Sequence, residues 1–341
     1  MMMKSLKDIA KALDLSVATV SKALKDYKDV STATKLRVRA YAKEVNFKPN
    51  LHAAYLRSQK TKLIGLILPD LNHYFFNSIL ASIVEEAEQN EYRVLVFCSK
   101  ESYENEKQQV LDLVQQNVDG IFLSISKSTY QYDHLEEAKK QKIPLILFDR
   151  IAKAINSFRV VIDDKKAAFD ATSHLIQQGC KKIAHFRGDL IPQMSIDRFF
   201  GYKEALKFHG LEFDENLVYI CHDNEVFDGS KHAETLLQKH PDVDGLFAIT
   251  DLVAIGAMNH FIKKGCRIPQ DIAVIGFSNW QIASLVTPAL SSVEQNGYQI
   301  GKKVMSLFLK TQIKGNQELP FTTEVIPSKL IVRASSRRTK I

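Results

Sequence analysis

The chain has 341 residues, 45% of them apolar and 25% charged, with a formal net charge of +7. That length holds about two ordinary domains, and that balance excludes a fibrous or disordered protein. No stretch reaches the run of roughly 18 apolar residues a membrane helix needs. The start, Met1 to Asp8, is interrupted by charges and lacks the apolar centre of a signal peptide. The four cysteines (Cys98, Cys180, Cys221, Cys266) form no C-x-x-C pair and support neither a disulfide framework nor a zinc cluster. The expected compartment is the cytoplasm, with no metal, cofactor or membrane involved.

Positive charge is concentrated at one end. Residues 1–62 contain eleven Lys and three Arg against five Asp and Glu, a net of +9, while the other 279 residues carry 32 basic and 34 acidic groups. A basic segment beside a near-neutral body suits the phosphate backbone of a nucleic acid. A merely solvated basic tail would lack apolar periodicity, and this segment has it. Leu6, Ile9, Ala10 and Leu13 fall on one face of a short helix, with Ser5 as its cap and Asp8 in its first turn. After the break Asp14-Leu15-Ser16, residues Val17 to Leu24 predict a second helix that buries Val20 and Leu24. A third begins near Ser31-Thr32 and buries Val38, Tyr41, Ala42 and Val45. Two short helices joined by a tight turn and braced by a third make a helix-turn-helix.

The exposed side of the second helix offers small and hydroxyl side chains. Ser16, Val17, Ala18, Thr19 and Ser21 let it lie deep in a groove, and Lys22 can reach a guanine edge. The chain then breaks at Asn46-Phe47-Lys48-Pro49-Asn50. Leu51 to Ser58 has length for about two helical turns, marginal alone in water, and Leu56 would be exposed unless a partner buries it.

Asp8-Ile9-Ala10, the run VATVSKAL from Val17 to Leu24, Asn46-Phe47-x-Pro49-Asn50 and Ala53-x-x-Leu56 together resemble the headpiece and hinge of the lactose/galactose repressor (LacI/GalR) family. Order and spacing agree through residue 58, and the rest of the chain agrees in plan. The resemblance implies a repressor bound as a homodimer to a pseudo-palindromic duplex operator and controlled by a small effector. Asn50 and Ala53 would join the DNA face, and two Leu56 side chains would wedge into the minor groove. Two departures, Lys22 and Ala54 where the family more often has Arg, bear on operator sequence, because lysine lacks bidentate geometry.

From Leu63 the pattern becomes β-α-β-α. Buried strands are predicted at Leu63–Leu68, Arg93–Phe97, Gly120–Ile125 and Pro144–Phe148, then at Lys182–Phe186, Gly245–Ile249 and Ile272–Phe277. Amphipathic helices lie between them at 75–89, 104–116, 165–178, 199–208, 229–240 and 251–264. Continuous apolar strands alternating with helices imply parallel sheets covered on both faces. The expected class is α/β: a three-helix headpiece (1–48), a hinge helix (49–61) and a two-lobed, periplasmic-binding-protein-like body (62–334) with a tail at 335–341. Lobe 1 takes about 62–160 and 292–322; lobe 2 takes 161–291 and 323–334. The cleft between the lobes is the expected ligand site.

The glycines form no dinucleotide fingerprint, Walker A loop or nucleophile elbow, and no H-E-x-x-H occurs. Three readings remain: a ligand-responsive regulator, a transporter's solute-binding protein, and a sugar-active enzyme with a basic extension. The basic headpiece argues against the second, and the lack of a paired acid and base against the third. Candidate contacts sit where strands run out into loops. Phe75 and Phe76 would be core on burial statistics alone; the resemblance assigns them to the effector cleft. Asp149-Arg150 resembles the family's D-R element, although Arg150 could equally form a surface ion pair. Arg198 aligns with an Arg aimed at the effector. Asp251 matches a T/N-D-x-x-A-x-G signature, with a helix cap as its other reading. Val274 to Trp280 resembles I-G-[FY]-D-[DN] with Ser278 in place of the usual Asp, and Asn279 and Trp280 are expected to substitute for it. Ser126 and Asn224 complete the expected set. Amides and a carboxylate around aromatic faces suit a sugar or sugar derivative, with a nucleobase or nucleoside as the alternative.

Overall fold

The computed structural model describes residues 5–45, 47, 60–223, 225–314 and 320–338. Two units are distinguished, 1–61 and 62–341.

In the first unit, helices α1 (Leu6–Leu13), α2 (Val17–Leu24) and α3 (Thr32–Glu44) surround Ile9, Leu13, Val20, Ala23, Val38 and Ala42. Each helix begins at a serine. Ser5 and Asp8 form a reciprocal capping box, with the Ser5 amide donating to Asp8 Oδ2 at 2.7 Å. Ser16 and Ser31 accept from the amides of Thr19 and Thr34 at 3.0 and 3.2 Å. Asp14 closes α1 in the left-handed region at φ 54°, which turns the chain sharply into α2. Leu24, Tyr41 and Val45 are only half-buried: so small a core cannot enclose every apolar side chain its helices offer.

The second unit contains two six-stranded sheets. The first is ordered β11-β5-β4-β3-β1-β2, from β1 (Leu63–Leu68), β2 (Arg93–Cys98), β3 (Gly120–Leu123), β4 (Leu145–Phe148), β5 (Phe158–Ile162) and β11 (Thr323–Ile326). The second is ordered β12-β10-β9-β8-β6-β7, from β6 (Ile183–Arg187), β7 (Val218–Ile220), β8 (Gly245–Ala248), β9 (Ala273–Phe277), β10 (Ser291–Glu294) and β12 (Lys329–Ile331). Every pairing is parallel except β10 with β12. The connecting helices are α4 (Tyr74–Gln89), α5 (Tyr103–Gln115), α6 (Asp133–Lys140), α7 (Asp164–Gln177), α8 (Gln193–Phe208), α9 (Val226–Lys239), α10 (Asp251–Lys263), α11 (Gln281–Leu285) and α12 (Gly297–Lys314). Gly297 and Gly301 let α12 press onto α4, because a Cβ at either position would collide with Ser78 or Ser82.

Strand pairing moves two boundaries. The last crossing between lobes was expected before residue 323, but β11 pairs with β5 in lobe 1, so the chain crosses after Ile326. The preceding crossing falls at Gln295-Asn296, because β10 still pairs with β9 in lobe 2. Residues 335–338, expected as part of a tail, are built into lobe 2. Ser335 and Ser336 are fully buried. Ser335 Oγ donates to the Val274 carbonyl at 2.6 Å, and Arg338 Nη2 to that of Asp244 at 2.7 Å. A polar, basic sequence concealed this, because its partners are backbone carbonyls of distant strands.

Candidate functional site

Two places gather the expected functional residues. On α2, Val20 and Ala23 face the core while Ser16, Val17, Ala18 and Lys22 are exposed and Thr19 and Ser21 half-buried. Ser16 and Thr19 share a 2.8 Å hydroxyl contact at the helix start, so both also serve the cap. Lys22 is ion-paired with Asp29, an acidic partner the sequence reading did not anticipate. This hydrogen bond raises the lysine pKa and lowers that of the aspartate. Asn50, Ala53 and Leu56 lie outside the described residues.

The second place is a cavity of about 260 Å³ between the lobes. It is bounded by loops at the carboxyl ends of β1 and β4 on one side and of β6, β8 and β9 on the other, as open parallel sheets favour. Of the expected residues, Phe75, Phe76, Asp149, Arg150, Arg198, Ser278 and Trp280 line it. Phe75 and Phe76 also belong to the main hydrophobic core, which runs through both lobes, so the two readings of these rings are one.

Arg198 is 1% exposed, among the most deeply buried of the large side chains. Its Nε donates to Asp164 at 2.7 Å and its Nη1 to the Ile249 carbonyl at 3.0 Å, and its guanidinium lies 3.5 Å from the Phe277 ring centroid. Only Nη2 has no hydrogen-bond partner among the described residues. His73 Nδ1, Ser195 Oγ and Trp280 Nε1, on residues of the same cavity wall, share that condition. Four buried polar atoms on residues of this one wall are thus left without a partner in the closed cleft.

Burial sets the protonation of this wall. It drives His73 down to about 3, with the nearby Arg150 and Arg198 adding to the effect, so the ring is neutral. Burial also raises Asp149, against the pull of Arg150 and Arg198. Asp164 is pushed up to about 7 by burial, opposed by Arg198.

Several expected contacts are spent elsewhere. Arg150 donates through Nη1 alone to both carboxylate oxygens of Glu101, at 2.7 and 2.8 Å, which is the ion pair of its alternative reading. Ser278 lines the cavity, but its hydroxyl donates to Gln295 at 2.7 Å. Asp251 is absent from the wall: its carboxylate accepts from the Trp280 amide at 2.7 Å and from Ser292 Oγ at 2.5 Å. Nor does it cap α10, since Thr250 does. Asp251 therefore positions the Trp280 loop. Asn279 also points away, accepting from Arg333 at 2.7 Å. Ser126 lies in a neighbouring cavity of about 170 Å³, its amide donating to the fully buried Glu106 at 2.6 Å. Asn224 lies outside the described residues.

The cleft has further members that the sequence reading omitted. Lys127 of lobe 1 reaches across, donating to the His222 carbonyl at 2.6 Å with Asp189 and Asp223 at 3.7 and 3.8 Å. His73 meets Trp280 edge-on at 4.5 Å between centroids, a second contact across the lobes. Gln295, at the crossing, accepts from Ser278 and lines the cavity beside Asp149. Asp189 and Ser195 follow β6 much as Asp70 to Phe76 follow β1, a symmetry that would have exposed them. No sequence signal marks Lys127 or Gln295.

Two family profiles match the chain. Residues 5–50 match bacterial regulatory proteins of the lacI family, and residues 61–333 match periplasmic binding proteins and the sugar binding domain of the LacI family. The "Ribose operon repressor" of Halalkalibacterium halodurans is 32% identical over 335 residues, covering 98% of each chain. Among solved structures, a transcriptional regulator CelR–cellobiose complex is 26% identical with a TM-score of 0.73, over 97% of this chain and 99% of that one. The lac repressor dimer bound to operator, 21% identical over 98% of this chain and 99% of that one, has a TM-score of 0.86 and shares the fold.

Proposed function

This chain belongs to the LacI family of bacterial regulatory proteins, DNA-binding transcriptional regulators, and we propose that it represses transcription in the cytoplasm as a homodimer controlled by a sugar. In this reading α2 enters the major groove through Ser16, Val17, Ala18, Thr19, Ser21 and Lys22, and Asn50, Ala53 and Leu56 complete the DNA contact. Two-fold symmetry matches a pseudo-palindromic operator, because one headpiece makes too few base contacts. The lysine must leave Asp29 to reach a base, a modest demand because the pair is exposed.

The observation that carries the effector assignment is the set of buried polar atoms that residues of the cleft wall leave unpaired, Arg198 Nη2, Trp280 Nε1, His73 Nδ1 and Ser195 Oγ, which a small adjustment of the wall on binding would bring to a ligand. Hydroxyls both donate and accept, so a polyhydroxylated ring can satisfy all four together with the carboxylate of Asp149. The cavity volume, about 260 Å³, is close to the lower end of the roughly 300–1,000 Å³ range of small-molecule sites and suits a single sugar ring. Its aromatic groups meet at steep angles, 80° for His73 with Trp280 and 54° for Phe75 with Phe76. Such an arrangement gives edges and faces to a puckered ring rather than parallel walls to a flat base.

Binding between the lobes biases their closure, and only a differential affinity for the two closures can alter DNA binding. Trp280 is the single tryptophan of the chain, so its fluorescence reports on the cleft. Titrating the full-length protein with neutral pentoses and hexoses, and separately with nucleosides, is the test. A saturable change with a sugar supports the assignment; a response to nucleosides alone would replace it.

A further inference from the structure

We propose that Asp29 is a second base-reading residue, selecting the cytosine paired with the guanine that Lys22 reads. This role rests on the reading that α2 enters the major groove, and extends that reading to a residue outside the helix.

Residues 1–62 contain five acidic side chains. Asp8 belongs to the capping box of α1, and Asp14 closes that helix. Asp26 is held by Lys35 and Arg39 of α3, at 3.2 and 2.9 Å, and Glu44 is the last residue of α3. Asp29 differs. It lies in the loop between α2 and α3 and is paired with Lys22, the cation that α2 presents to the groove. The two side chains are 48% and 53% exposed, so both can turn to a new partner. The lysine hydrogen bond lowers the Asp29 pKa, so the carboxylate is ionised at neutral pH.

Contact with Lys22 fixes where this carboxylate goes. When the lysine meets a base edge, Asp29 stands within a side chain's length of the same edge. Most of what it faces there repels it: phosphate oxygens, N7 and O6 of guanine, N7 of adenine and O4 of thymine are all acceptors. Donors come only from N4 of cytosine and N6 of adenine, and adenine N6 sits beside N7, which repels the second carboxylate oxygen. Beside cytosine N4 the nearest acceptor is O6 of its paired guanine, the atom Lys22 occupies. One G·C pair therefore replaces both halves of the ion pair. Guanine O6 and N7 accept from Lys22, and cytosine N4 donates to Asp29. Any other base pair leaves the carboxylate among acceptors, so Asp29 discriminates as much by rejection as by attraction. On unrelated sequence the ion pair persists, and Lys22 is withheld from the phosphates.

The test compares the full-length protein with its Asp29→Asn, Asp29→Ala and Lys22→Ala variants, each checked by thermal unfolding. Sites are selected from random duplexes and measured in competition titrations across a salt series. Wild type is expected to select a G·C pair in each half-site. Its preference for that pair over A·T should shrink about tenfold in both Asp29 variants. Their non-specific binding should tighten, and its salt slope should steepen by about 1, because Lys22 is freed to neutralise a phosphate. Unchanged base preference in both Asp29 variants would overturn the proposal. So would a change in non-specific binding alone, which would make Asp29 a mask on the lysine and not a reader. Failure to enrich any site, or a Lys22→Ala variant with wild-type preference at every position, would instead remove the groove reading on which the proposal stands.

Discussion

Replacing Arg198 with methionine should destabilise the protein in a manner that depends on pH. Methionine keeps an apolar stem over Phe277 but removes the guanidinium that faces Asp164, Ile249 and the cavity. Losing the bond to the Ile249 carbonyl leaves a buried acceptor unsatisfied, at about 1–3 kcal/mol and largely independent of pH. The pH-dependent part comes from Asp164, which is 6% exposed. Burial already raises its pKa to about 7, and Arg198 is the largest influence holding it down; without the arginine it rises further. A carboxyl raised above its unfolded value of about 3.9 contributes most below that value and loses the contribution as pH climbs through the folded one. In the wild type this loss levels off above about 7. In the variant it continues at about 1.4 kcal/mol per pH unit. Between pH 6 and 8.5 the cost of the substitution should therefore grow by about 2 kcal/mol. Denaturant unfolding of both proteins at the two pH values measures it. Adding Asp164→Asn should abolish the growth. A cost equal at both pH values, or growth that survives in the double variant, would refute the coupled-pair account of Arg198. At pH 6 the single variant should still bind operator but no longer respond to effector.

Three other outcomes follow from the same geometry. Lys22→Ala should weaken specific operator binding by about 1–3 kcal/mol and change non-specific binding much less; equal losses in competition titrations would make the lysine a phosphate contact. Lys127→Met removes the lysine clasp across the cleft, so small-angle scattering should show a more open free protein. Effector affinity should fall severalfold and lose part of its salt dependence, and an unchanged scattering profile and affinity would show that the clasp does not set closure. Glu106→Leu should destabilise lobe 1 by several kcal/mol in thermal unfolding, because the Ser126 amide, Thr129 and His134 lose the acceptor they share; a Tm within a degree of wild type would contradict that.

The headpiece was legible because its signals are local. Serine caps, the Ser5–Asp8 box and helical spacing all act within a few residues, and the half-burial of Leu24, Tyr41 and Val45 reflects only the small size of the core. Most of the central parallel strands were equally legible from their apolar runs, but β5 and β10, each inside its sheet, were not expected. Short edge and return strands were not: β7 and β12 have three residues each, and β11 shows alternating exposure because it pairs on one side only. In the cleft, resemblance located Arg198 and the Phe pair but gave Asp251 and Asn279 to the effector. Both are occupied by partners far along the chain, Ser292 and Arg333, which no local pattern reveals. Ser126 failed for a similar reason, since a buried glutamate twenty residues earlier claims its amide. Lys127 and Gln295 reach the cleft only through lobe closure and the strand crossing.

Coupling between the cleft and the DNA face is the central claim, and reciprocal titration tests it most directly. An operator is first selected from random duplexes with the full-length protein, and its affinity is then measured at fixed salt with and without the saturating sugar. Effector affinity is measured with and without operator. The account predicts that each ligand changes the affinity of the other by the same factor, about 5–150-fold, and that Arg198→Met at pH 6 removes both changes. Tight binding of both ligands with no mutual effect would contradict it.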